Sequence, residues 1–133
     1  MRKKFKRYCK TLQLVDNTSL IAEYKKMHAI GKSWPEISQG MKEVGIIDME
    51  IYLTGTTLFM IMDTVENFDH DQAMSKLSSL PRQSEWETAV SKFQKSSPSS
   101  SIKEKWILIE RIFKLDQDAE YHMKEGYVEQ IIV

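Results

Sequence analysis

The sequence is nearly without cysteine: Cys9 is alone among 133 residues. A single thiol excludes an intrachain disulfide and argues against a cysteine-based metal centre. Net charge is missing as well, since 19 Lys and Arg balance 19 Asp and Glu. That leaves no electrostatic footprint for nucleic acid. Basic residues do gather at Arg2–Lys10, but on a strand-like stretch they read as solvent-facing. No run approaches the ~18 apolar residues of a membrane-spanning helix. No apolar segment of signal-peptide type follows the basic start. The expectation is a reduced, cytoplasmic, single-domain protein over residues 1–133, with no nucleic-acid or membrane partner.

The residues that are present suit a packed core: 41% are apolar and 29% charged, in a chain long enough to bury one. Lys6–Leu14 reads as a strand, with Tyr8, Leu12 and Leu14 on alternate positions. Asp16–Ser19 is a turn and helix-capping cluster ahead of a helix over Leu20–Ala29, which Gly31 ends. Ser33, Pro35 and Glu36 have the spacing of a capping box, with proline in the first turn. That second helix runs to about Val44 and Gly45 closes it.

Ile46–Leu53 alternates, with Ile47, Met49, Ile51 and Leu53 on one face. Thr54–Thr56 is a hairpin turn. Thr57–Asp63 is apolar on both faces, as a central strand would be. Helices are expected over Glu66–Ser78 and Gln83–Phe93, the latter with Trp86, Ala89, Val90 and Phe93 at helical spacing. Ser96–Ser101 is a loop, Lys105–Phe113 a closing strand, and Tyr127–Val133 an added strand or arm. The order is the β-α-β-β-α-β plan of a ferredoxin-like domain: α+β, an antiparallel sheet with helices on one face. Tyr8, Phe59, Ile61, Trp106 and Ile107 leave apolar residues for both faces of the sheet, so a homodimer of the dimeric α/β-barrel type is expected to cover the second.

Tyr24 and His28 stand four apart on the first helix and share a face. A phenol and an imidazole are thus placed where one small polar ligand can touch both. His70 between Asp69 and Asp71 looks like part of a metal site but lacks further ligands, and reads as helix-start charge. The eight methionines read as core filling.

The pair at Tyr24 and His28 is similar to the first-helix motif of the L-rhamnose mutarotase family. So are the Trp34-Pro35-Glu36 cap, the Ile51-Tyr52-Leu53 strand end, the Trp86 helix and the closing stretch Lys105–Leu115. The resemblance covers about residues 5–115 and leaves 116–133 as an extension. It implies a ferredoxin-like dimer that interconverts the α and β anomers of a six-carbon deoxysugar without metal or other cofactor. His28 would be the catalytic acid, and Tyr24, Tyr52, Glu85 and Trp86 would hold the sugar. The Glu85-Trp86 form, in place of two tryptophans, resembles the L-fucose branch more than the L-rhamnose one. Two other readings stay open at this point: a haem-binding monooxygenase of the same fold, and a non-enzymatic ligand-sensing module.

Overall fold

The computed structural model describes residues 3–95, 105–115, 121–124 and 127–132. Its elements are β1 (Lys3–Gln13), α1 (Thr18–His28), α2 (Pro35–Glu43), β2 (Ile46–Thr54), β3 (Thr57–Thr64), α3 (His70–Ser78), α4 (Gln83–Ser91), β4 (Ile107–Leu108), β5 (Tyr121–Lys124) and β6 (Tyr127–Ile132). The sheet is antiparallel in the order β2-β3-β1-β6-β5, with the short β4 also on β1. The outer edge of β1 is therefore shared. Its first half pairs with β6 and its second half with β4. The strands β4, β1, β3 and β2 and the helices give the ferredoxin-like α+β plan. β5 and β6 extend it, so part of the C-terminal extension completes the sheet.

Local chemistry accounts for the starts of α1 and α3 and the close of α2. The Asn17 side chain accepts the Leu20 N–H at 3.0 Å and starts α1; Asp69 does the same for Gln72 at 3.1 Å and starts α3. The expected helix over Glu66–Ser78 thus begins only at His70. The Ser33 cap is not made, either. Trp34 is the N-cap residue of α2, with no side-chain cap bond, and Glu36 turns to Arg82 at 3.5 Å. Gly45 has φ +106°, a left-handed conformation that glycine adopts without strain.

Two strand expectations change. In β2 the register shifts between Ile46 and Asp48. This bulge turns Ile46 inward and leaves Ile47 exposed, while Met49, Ile51 and Leu53 keep the inner face. The closing strand shrinks from Lys105–Phe113 to two residues, because only Ile107 and Leu108 find partners on β1. Beyond them Ile112, Phe113 and Leu115 are exposed. Ser96–Ser101 lies outside the described residues.

The helices cover one face of the sheet. Tyr8, Ile46, Met60, Met62, Phe68, Met74 and Leu77 form one buried cluster. Leu12, Leu14, Tyr24, Ile37, Leu58, Trp86, Val90 and Phe93 form another. Met41, Ile51 and Trp106 pack against both. The other face carries the bidentate Arg7–Asp63 pair at 2.7 and 2.9 Å, with exposed Tyr52 and Phe59. No helix among the described residues is long and apolar enough to cross a membrane.

Candidate active site

Between the sheet and the helices lies a cavity of about 540 Å³, lined from both core clusters. Its volume is in the range of small-molecule sites, and its walls have the usual character of many apolar groups and a few polar ones.

The α1 wall carries the expected pair. Tyr24 and His28 stack with ring centroids 4.2 Å apart, and both line the cavity. The Phe93 ring meets Tyr24 edge-on at 5.6 Å. Trp86 of α4 meets His28 edge-on at 5.4 Å and Trp34 at 5.2 Å. Arg82 lies over the Trp34 ring at 4.2 Å and bridges to Glu36 and Glu85, each at 3.5 Å. Arg82 has φ +64°, an uncommon conformation for a residue with a side chain. It ties α2 to the start of α4 and so holds Trp34 against Trp86, the ring that meets the imidazole.

His28 is held in one orientation. Its Nδ1 lies 2.8 Å from the Tyr24 carbonyl oxygen. A carbonyl can only accept, so Nδ1 carries the hydrogen, and in the neutral ring Nε2 is left as an acceptor. Burial pushes the His28 pKa below its ordinary value; the bond to the carbonyl pulls it partway back. The ring is therefore neutral at pH 7 and can take a proton. Burial likewise raises the Tyr24 pKa, against a side-chain hydrogen bond from Gln94. Tyr24 is thus a phenol rather than a phenolate. Among the described residues, the buried Gln94 Oε1 has no hydrogen-bond partner.

The α4 wall differs from expectation in its carboxylate. Glu85 is 64% exposed in its side chain, pairs with Arg82, and does not line the cavity. The carboxylate that does is Glu87, two positions on. Gln83 donates to it at 2.8 Å and the buried Lys105 at 3.1 Å. Gln83 and Glu87 are one helical turn apart beside Trp86, so that spacing was the signal in the sequence. Tyr52, on edge strand β2, contributes to the lining, but its side chain belongs to the outer face. It is 53% exposed and its phenol donates to Glu50 at 3.1 Å. The structure thus brings Tyr24, His28 and Trp86 together, and sets Tyr52 and Glu85 apart from them.

Lys10 is the second residue that pattern reading missed. It does not face solvent: it is 2% exposed and lines the cavity. It occupies the inward position between Tyr8 and Leu12, opposite Met60 on β3 and Leu108 on β4.

A ferredoxin-like domain with a histidine-bearing cavity of small-molecule size is the class that fold and site define. The L-rhamnose mutarotase family model matches residues 7–115, and the chain belongs to that family. It is 35% identical over 111 residues to an L-fucose mutarotase of Xanthomonas campestris pv. campestris, covering 84% of this chain and 89% of that one. A UPF0734 protein of Dictyostelium discoideum is 34% identical over 116 residues, covering 84% and 91%. Among solved structures, an L-rhamnose mutarotase of Formosa agariphila superposes with a TM-score of 0.61 at 18% identity, over 83% of this chain and 98% of that one. At that identity the match speaks for the fold alone. Membership in this family lends no support to the haem-binding reading.

Proposed function

We propose that this protein is a cofactor-independent mutarotase that interconverts the α and β anomers of a 6-deoxyhexose, with L-fucose as first substrate and L-rhamnose as the alternative. The observation that carries the reading is the orientation of His28: Nδ1 is engaged by the Tyr24 carbonyl, and Nε2 stays available in a cavity it shares with Trp86. The 35% identity to an L-fucose mutarotase supports the choice of sugar.

Mutarotation breaks the bond between the anomeric carbon and the ring oxygen and remakes it on the other face of the aldehyde. The anomeric hydroxyl loses a proton as the ring oxygen gains one, and the reverse transfer closes the ring. Neutral Nε2 accepts the proton of the anomeric hydroxyl and hands it to the ring oxygen as the C–O bond breaks, then carries it back on closure, a transfer worth on the order of two to four powers of ten in rate. The Tyr24 phenol donates to a sugar oxygen. Glu87 and Gln94 Oε1 accept from sugar hydroxyls. The Trp86 ring, with Met41 and Ile51, gives an apolar surface for the C–H face and the C6 methyl. Tyr52 would reach the sugar only by leaving Glu50. A homodimer belongs to the same reading, because Tyr52, Phe59 and Ile107 leave apolar surface exposed; sedimentation equilibrium tests it.

The test of function is saturation-transfer NMR on the anomeric protons of L-fucose and L-rhamnose. Wild-type protein should speed exchange of at least one sugar, and His28→Ala should lose at least a hundredfold of that gain. Exchange unchanged by wild-type protein for both sugars would refute the proposal.

A further inference from the structure

Lys10 rises from the middle of the sheet into the cavity from the wall opposite α1 and α4. It is buried, and among the described residues its only hydrogen-bond contact is the Met74 thioether, with Nζ to Sδ at 3.9 Å. Sulfur of this kind is a weak acceptor. Among the described residues, no carboxylate lies within ion-pair distance of Lys10. The nearby buried cation shows the contrast: Lys105 has Glu87 at 3.1 Å. An ammonium withdrawn from water without an acceptor is costly and has no structural purpose here. One N–H donor meets a weak sulfur acceptor, the other two have no partner among the described residues, and the space beside them is open.

We propose that Lys10 is a substrate-contacting residue that sets specificity, donating to an oxygen on the face of the sugar turned towards the sheet. The proposal rests on the mutarotase reading. The sugar then lies between two walls. His28, Tyr24 and Trp86 hold it from the helices, and Lys10 holds it from β1. The cavity would thereby prefer a pyranose with a hydroxyl at the position Lys10 meets, and reject the isomer or deoxy analogue that presents only C–H there. Burial pushes the Lys10 pKa down to about 8, so the grip weakens in mildly alkaline solution. Asp71 of α3 is the charge that favours the ammonium; the other charged and titratable groups lining the cavity are Tyr24, Lys25, His28, Lys42, Asp48, Tyr52 and Glu87, the last paired with Lys105.

The experiment measures anomeric exchange against sugar concentration for wild type and Lys10→Met, with L-fucose and L-rhamnose, from pH 6.5 to 9.5. Methionine has similar reach and suits the apolar surroundings, and a urea melt checks that the variant folds. The expected result is a KM raised at least fivefold in the variant at pH 7, with kcat changed less. The wild-type KM should also climb above about pH 8, and that climb should vanish in Lys10→Met. A KM raised less than fivefold, or an alkaline climb that persists in the variant, overturns the assignment while leaving the mutarotase reading intact. If wild type accelerates neither sugar, both fall together.

Discussion

Replacing Lys10 with methionine should stabilise the protein, and by an amount that depends on pH. In the folded chain the ammonium has a pKa of about 8, against 10.5 for an ordinary lysine. Below pH 8 both folded and unfolded chains carry the charge, and the folded one does so at a disadvantage of about 2.5 pKa units, or ~3 kcal/mol. Between pH 8 and 10.5 the unfolded chain binds the extra proton, so wild-type stability gains from this residue as pH rises. Above 10.5 both states are neutral and the disadvantage is gone. Lys10→Met has no such titration. Its advantage over wild type should therefore be greatest near pH 7 and shrink by ~3 kcal/mol by about pH 10.5. Taking the difference between the two proteins cancels the other lysines and the tyrosines. Urea melts at pH 7 and pH 10.5 measure it, with the midpoint at pH 7 raised by on the order of 1–2 M if the slope is unchanged. A variant less stable than wild type at pH 7, or an advantage that does not vary with pH, would refute the picture of an unpaired buried ammonium. Gain of stability with loss of sugar affinity is the pattern expected where a fold tolerates a costly group for its function.

Three further outcomes follow from the site and its supports. Because His28 acts as the neutral ring and its pKa is held below 6.5, exchange should stay high at pH 6.5 and fall only in more acid solution. The same depression makes the unfolded chain take up a proton first as pH drops through 6.5, so stability also falls there, and His28→Ala should flatten that part of a pH series of urea melts. Tyr24→Phe removes the phenol that Gln94 bonds, leaving a buried amide without its partner; a cost of about 1–3 kcal/mol should appear in thermal unfolding, together with slower anomeric exchange. Gly45→Ala would put a Cβ 3.0 Å from Val65 Cγ2 and 3.2 Å from Phe68 Cδ1, at φ +106°. A loss of about 1–3 kcal/mol is expected, with residual exchange per folded molecule unchanged.

The parts of this molecule that could be read from sequence are those set by neighbours along the chain. Tyr24 and His28 share a helix face whatever the rest of the fold does, and Asn17 and Asp69 cap helices through bonds three residues on. The β2–β3 hairpin is equally local. What failed depended on partners far away. Lys105–Phe113 has the apolar content of a strand, yet β6 occupies the first half of the β1 edge and only Ile107 and Leu108 pair with the second. Glu85 enters through the resemblance, as the carboxylate beside Trp86 where relatives carry a second tryptophan, but its side chain points out to Arg82 and Glu87 takes the inner place. Lys10 reads as solvent-facing because charge usually marks the solvent side. Its place in the alternation of Tyr8, Leu12 and Leu14 already put it inside, and only the cavity explains why an ammonium can stand there.

The bulge at Ile47 has a consequence for how the domain can vary. The tight turn into β3 fixes β2 from one end, while the close of α2 at Gly45 fixes it from the other. The surplus residue takes up the slack between these two anchors. A chain one residue shorter here would keep Met49, Ile51 and Leu53 facing inward, since their pairing is counted from the hairpin. Length differences in this link can therefore accumulate without disturbing the side chains that a bound sugar would meet.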